Sequence, residues 1–262
     1  MLRPHPRPFM LASLTALAIL SPSAVRSLPF QEADSRTWVG RHHEVEEYLR
    51  TAECDRLENM GPATVTLQRC VLRPGGPIAR LAWKPLLPGV TRGFQDSYKA
   101  NIAAYELDKL LTLDMVPPAV ERVLQGLKGS ATQWVENIAP LKRDQAPDAA
   151  YEKHWNAQVA KMVMFDTLIH NPDRNLNNVL HDPAWNMILL DHTMAFGTST
   201  DLVRKMVRID RDFWARIDKL TRGQLDAALR PWLEDGEIAA LLARRDRMRT
   251  EIKAQVGDFG AR

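Results

Sequence analysis

The sequence predicts an α+β protein of two lobes, a small β-rich lobe followed by a mainly helical one. Three observations predict it. The first half carries two strand-like pairs with a strongly periodic helix between them. A stretch at 137–150 with Pro140, Pro147 and scattered charges breaks the pattern. The second half has helical periodicity apart from one short hairpin.

Residues 1–27 stand apart from this pattern. Arg3 and Arg7 precede the apolar run Phe9–Leu20, and Ser21, Pro22, Ser23 and Ala24 follow it. That is the layout of a secretory signal peptide, with cleavage after Ser23 or Ser27 equally compatible. The run would rise only ~18 Å as a helix, short of the ~30 Å hydrocarbon core. An uncleaved anchor is the alternative. No later segment reads as membrane-spanning, so the expectation is an exported chain, periplasmic or extracellular.

Composition narrows the class. With 262 residues, 45% hydrophobic and 26% charged, the chain is neither disordered nor fibrous. Arg3, Arg7 and Arg26 lie in a leader without acids and account for the whole net charge of +3. The remainder is neutral, which argues against a nucleic-acid binder. Cys54 and Cys70 either bridge in an oxidising compartment or lie as two buried thiols. No cysteine pattern points to zinc or redox chemistry.

The elements follow in order. Thr37–Asn59 reads as a helix, with Trp38, Val45, Leu49 and Leu57 near a 3.6 period, and Gly61-Pro62 stops it. Thr64–Leu72 and Ile78–Lys84 read as a hairpin around Pro74-Gly75-Gly76-Pro77, and Pro85–Gly93 as a loop. Asp96–Leu113 is the periodic helix. Pro117–Leu124 and Ser130–Val135 form a second strand pair around Gly126–Gly129. These complete an N-lobe at 37–136, and 137–150 is its linker to a C-lobe at 151–262. There Tyr151–Ile169 is helical, His170–Asn178 is a polar loop, and Val179–His181 with Met187–Leu190 is the small hairpin. From about Leu202 the chain reads as helical throughout: Phe213–Leu220, Gly223–Leu233 and Asp235–Val256. Its Arg and Lys runs alternate with acids, as solvated helix faces do.

Three places concentrate chemistry. Lys84 ends an apolar strand, where it either snorkels or points at a ligand. Asp173, Arg174 and Asn178 share a loop that directly follows an apolar helix. Asp191 ends the aliphatic run Ile188-Leu189-Leu190, where a buried acid needs a cation unless it caps the next turn. The hairpin between Asn178 and Asp191 returns its ends side by side. Two oxygen ligands so placed suit Mg²⁺ or Mn²⁺. Asp173 is then free to orient or deprotonate a hydroxyl.

Asp173-Arg174-x-x-x-Asn178, with Asp191 thirteen residues on, resembles the catalytic loop and metal-binding aspartate of the protein-kinase-like superfamily. Phe165-Asp166-x-Leu168-Ile169-x-Asn171-x-Asp173 is most similar to its atypical branch of HipA-type, phosphatidylinositol 3-/4- and secreted four-jointed/Golgi casein kinases. Ala82-Trp83-Lys84-Pro85 resembles the lysine strand, Ile102–Leu111 the following helix, and Trp134-Val135-Glu136 the entry to the hinge. The resemblance spans about residues 40–250. It implies a two-lobed kinase-like fold and a phosphotransferase moving the ATP γ-phosphoryl group to a hydroxyl of a protein, sugar or small molecule. Lys84 would hold the α- and β-phosphates and Asp173 the acceptor. Asn178 and Asp191 would hold Mg²⁺ or Mn²⁺, and Arg174 would brace the loop. Val135, Glu136 and Asn137 would meet the adenine.

The chain departs from the family at the helix, where Asn101 replaces the glutamate that pairs with the strand lysine. Glu106 points elsewhere, and Asp108 lies roughly 10 Å further along. Gly61-Pro62-Ala63-Thr64 is a thin glycine loop, and His192-Thr193 follows Asp191. Two alternatives share the fold, a secreted pseudokinase acting as a binding module and an enzyme transferring AMP.

Overall fold

The elements begin with α1 (His42–Thr51), which buries Val45, Glu46 and Leu49. This computed structural model describes residues 34–61, 67–91 and 93–256. The leader expected at 1–27 lies outside the described residues. The helix expected over Thr37–Asn59 is corrected. It ends at Ala52, whose ψ of 135° is extended, and Cys54–Asn59 is β1. β1 is an edge strand of half-exposed, charged residues, so its alternation is too weak to read locally, and pairing to β2 (Gln68–Leu72) decides it. A disulfide joins Cys54 to Cys70 across that pair. The strand expected from Thr64 is described only from Gln68, since its first residues lie outside the described ones.

β3 (Arg80–Lys84) alternates cleanly, with Leu81 and Trp83 buried. The loop expected over Pro85–Gly93 holds β4 (Gly89–Thr91), which pairs with β5 (Phe94–Asp96). α2 (Tyr98–Leu111) starts at the N-cap Ser97, whose hydroxyl accepts from Lys99 N at 3.1 Å, and ends on Thr112 in the left-handed region. β6 (Ala119–Leu124) and β7 (Leu127–Gln133) meet at a two-residue turn, Gln125-Gly126, with φ of 52° and 77°. Gly129 is therefore within a strand and not in the turn, and its lack of a side chain has a packing cause. A Cβ there would sit 2.7 Å from the Lys84 carbonyl oxygen on the adjacent strand.

These strands make one antiparallel sheet in the order β1-β2-β3-β7-β6. The expected linker at 137–150 contains β8 (Ala139–Pro140). It adds to a second sheet in the order β10-β9-β8, with β9 (Val179–His181) and β10 (Met187–Leu189). α3 (Glu152–Leu168) leads into the loop before β9. α4 (Arg211–Asp218), α5 (Arg222–Leu229) and α6 (Asp235–Val256) complete the helical lobe. Residues 202–210 are not helical, so the helical region starts later than expected. Asp210 caps α4 by accepting from Phe213 N at 2.9 Å.

Two hydrophobic clusters organise these layers. One joins α1 to the large sheet around Trp38, Leu49, Leu81 and Trp83. The other joins α2 to the C-terminal helices around Leu107, Phe165, Phe213 and Leu241. The β9–β10 hairpin serves both. Leu180 and Ile188 pack in the first cluster, Val179, Met187 and Leu189 in the second. Strand alternation thus fixes the hairpin between the cores. Among the described residues, no helix is long and apolar enough to cross a membrane.

Candidate functional site

Alternation along β3 aims Ala82 and Lys84 at a cleft while Leu81 and Trp83 face the core. The cleft holds about 540 Å³. Its walls come from β3, β7, the connection after β7, and the loops on either side of the β9–β10 hairpin. Lys84, Asn178, Asp191, Val135, Glu136 and Asn137 all line it.

Asp191 follows β10 with φ at 53°, an unusual conformation for an aspartate, of the kind that concentrates at functional sites. Its Oδ1 receives the Lys84 ammonium at 2.8 Å and the Thr193 hydroxyl at 3.0 Å. Burial works to raise the Asp191 carboxyl. The Lys84 charge and these hydrogen bonds outweigh it, holding the group below the usual carboxylate range. Leu190 N donates to Asn178 O at 3.1 Å, so the ends of the hairpin lie side by side. Asn178 Nδ2 donates to Asp173 O at 3.2 Å, which leaves its amide oxygen available. Among the described residues nothing donates to the Asp173 carboxylate, which is half-buried.

Arg174 lies beneath the loop and not in the cleft. Its side chain is 2% exposed and forks onto fully buried Asp166, with Nε to Oδ2 at 3.0 Å and Nη2 to Oδ1 at 2.9 Å. Nη1 donates to Asn178 O at 2.9 Å and Leu190 O at 2.7 Å. Nη2 also donates to His192 Nε2 at 2.7 Å. Burial, and then the Arg174 charge, pushes the His192 imidazole well below its usual range, so it is a neutral acceptor. One guanidinium therefore joins α3, the Asn178 loop and the Asp191 segment. The sequence reading gave Asp166 no role. An acid within the apolar run Met164–Leu168 was the available signal, because burial there demands a cation.

Asn101 reaches the same cleft from α2. Its Oδ1 accepts the His192 backbone N–H at 2.7 Å, and its Nδ2 approaches Ser130 Oγ at 3.5 Å. Glu106 is engaged by Lys109 at 3.1 Å. Asp108 is buried and accepts the backbone N–H groups of Met115 and Val116. Neither acid faces Lys84. The Glu136 carboxylate is held by Arg80, whose Nε donates to it at 2.9 Å. Arg80 also stacks over Trp134 at 5.4 Å. Gly61 sits between β1 and β2, and the rest of the expected glycine loop lies outside the described residues.

The donor set around Asp191 fits a hard divalent ion. It offers a carboxylate and an amide oxygen at the ends of one hairpin. Among the described residues no group of three or more His, Cys, Asp or Glu would hold a metal alone. Such a two-oxygen site matches an ion that keeps waters and takes phosphate oxygens from its substrate.

This five-stranded sheet, helical lobe and intervening cleft are similar in fold to solved kinase structures. Individual solved structures are similar to it. The Golgi casein kinase with Mn/ADP bound superposes with a TM-score of 0.57 at 13% identity, over 84% of this chain and 77% of that one. A hydra Fam20 with sugar gives 0.60 at 16% identity, over 82% and 90%. A proinflammatory kinase of Helicobacter pylori gives 0.51 at 10% identity, over 78% and 93%. No protein-family model matches the sequence, and no curated protein matches it.

Proposed function

We propose that this chain is a metal-dependent phosphotransferase that moves the γ-phosphoryl group of ATP to a hydroxyl of an acceptor. One observation carries the reading. Lys84 and Asp191, 107 residues apart, meet in a cleft that Asn178 and the connection at Val135–Asn137 also line. The similarity of fold to kinases, one of them solved with Mn/ADP, supports it. Lys84 binds the α- and β-phosphates. Asn178 and Asp191 hold Mg²⁺ or Mn²⁺, which when bound neutralises charge on the transferring group. Asp173, whose carboxylate has no donor among the described residues, orients the acceptor hydroxyl and takes its proton. Arg174 holds the Asn178 and Asp191 segments together. Backbone groups of Val135–Asn137 meet the adenine. The acceptor is a protein, a sugar or a small molecule.

The Cys54–Cys70 bridge supports an oxidising compartment, and the leader-like composition of residues 1–27 supports export. The neutral charge beyond the leader supports a partner set of nucleotide and acceptor without nucleic acid.

Thermal unfolding with ATP and Mn²⁺ tests the site. Ligand at a hundred times its dissociation constant adds about 2.7 kcal/mol. That raises the midpoint by roughly 5–10 °C for a chain of this size. The rise should require metal and vanish in Asp191→Ala. Hydrolysis or transfer of the γ-phosphoryl group should then fall at least a hundredfold in Asp173→Asn, roughly the contribution of a general base. A metal-dependent rise without any turnover would favour the binding-module reading, to which the uncharged Asn101 lends support.

A further inference from the structure

Asp191 is anchored through the residues on either side of it. Before it, Leu190 N donates to Asn178 O at 3.1 Å. After it, two consecutive residues are tied to α2. His192 N donates to Asn101 Oδ1 at 2.7 Å, and Thr193 O accepts the backbone N–H of Ser97 at 2.9 Å. Ser97 is the N-cap of α2 and Asn101 lies about one turn further on, so the start of one helix supplies both ties.

Thr193 adds a third link, back to Asp191 itself. Its hydroxyl donates to Asp191 Oδ1 at 3.0 Å, and the residue is 4% exposed. The Asp191 side chain is 38% exposed, and its backbone is left-handed with φ at 53°. Such a conformation persists only where the surroundings impose it. Lys84 meets the same Oδ1 at 2.8 Å, so both side-chain donors converge on one oxygen. Among the described residues Oδ2 has no side-chain donor.

We infer that Thr193 is a positioning residue of the candidate metal ligand: its hydroxyl fixes the Asp191 carboxylate against the start of α2 and reserves Oδ2 for the cation. The inference rests on the phosphotransferase reading. Lys84 alone would hold the carboxylate loosely, because its ammonium ends a flexible stem. Thr193 is β-branched, buried and anchored through its own carbonyl, so its hydroxyl has a fixed origin. Ser97 and Asn101 then have a role in a helix that brings no acid to Lys84. They hold Thr193 and His192, and Thr193 holds the carboxylate.

The test compares Thr193→Val, Thr193→Ala and Thr193→Ser in the full chain. Thr193→Val keeps the shape and loses the hydroxyl, Thr193→Ala loses both, and Thr193→Ser keeps the hydroxyl and loses the methyl group. Mn²⁺ binding in saturating ADP is read from the loss of the free-ion paramagnetic resonance signal, with protein-free Mn–ADP mixtures as the correction. The ligand-free unfolding midpoint is measured beside it. Loss of a hydrogen bond to a charged group should weaken Mn²⁺ about tenfold in Thr193→Val and in Thr193→Ala. Thr193→Ser should bind Mn²⁺ as wild type does, even where its midpoint falls with the lost methyl group. Affinity that follows volume instead, with Thr193→Val like wild type and Thr193→Ser like Thr193→Ala, would overturn the inference and leave the metal site standing. Equal affinity in all four proteins would do the same. Failure of wild type itself to bind Mn²⁺ with ADP would overturn the phosphotransferase reading, and the inference with it.

Discussion

Asn101 Oδ1 accepts the backbone N–H of His192 at 2.7 Å, which ties α2 to the residue after Asp191. The contact spans the interface between the sheet-lobe helix and the segment that carries the candidate metal ligand. A side chain that cannot accept would leave a part-buried donor unpaired. Asn101→Leu should therefore cost about 1–3 kcal/mol. It should lower the melting midpoint by several degrees and weaken nucleotide binding in parallel. Unchanged nucleotide affinity in a destabilised variant would separate the tie from the site.

Arg174 and Asp166 form a buried ion pair with side chains 2% and 0% exposed. Removing one partner strands the other charge, so Asp166→Asn should destabilise by about 3–5 kcal/mol in denaturant titrations. The double change Asp166→Leu with Arg174→Met should recover much of that loss. It should not recover turnover, because the Asn178 and Leu190 carbonyls and His192 lose the donor that gathers them. Recovered turnover in the double variant would show that Arg174 serves stability alone.

Asp108 sets a pH dependence of folding. Burial raises its carboxyl to about 8, against the opposing backbone N–H groups of Val116 and Met115. The folded state then keeps a proton that the unfolded chain releases near 3.8. Between these values the folded state binds more protons, so stability falls as pH rises from about 4 towards 8. Asp108→Asn keeps the acceptor and removes the proton. Its stability, followed from pH 5 to pH 8, should decline less than that of wild type. Parallel curves would contradict the assignment.

The Cys54–Cys70 bridge clamps the edge strand β1 to β2 across a sequence separation of 16. Closing a loop of that length stabilises by roughly 3 kcal/mol. Cys54→Ser with Cys70→Ser should lower the midpoint by roughly 6–12 °C. Hydrogen exchange should show the loss first in β1, since an edge strand has one pairing partner. Protection lost uniformly across the sheet would place the effect elsewhere.

The local pattern reached furthest where an element buries one regular face. Tyr98–Leu111, Glu152–Leu168 and Asp235–Val256 are helices that the periodicity outlines to within a few residues. The pattern failed at Cys54–Asn59, where Asp55, Arg56 and Asn59 are exposed and only the pairing to Gln68–Leu72 makes a strand. It failed again at 137–150, because Ala139–Pro140 is a strand only by virtue of β9. Gly129 was legible as a turn residue and is a packing residue, for its neighbour across the sheet is 45 positions away in sequence.

At the site, the residue types and their spacing along one loop were readable by themselves. Asp173, Arg174, Asn178 and Asp191 sit within 19 positions, and a short hairpin has few ways to return its ends. What the sequence determined alone is the set of chemical groups and the local geometry that covalent neighbours impose on them. Which groups meet was decided by the tertiary structure. Lys84 takes Asp191 as its partner, Asn101 takes the His192 backbone, and Asp166 takes Arg174. Each of these is a choice between competing partners of similar chemistry. Such a choice depends on distance and desolvation in the folded chain, and both arise only once the sheet and the helices have packed.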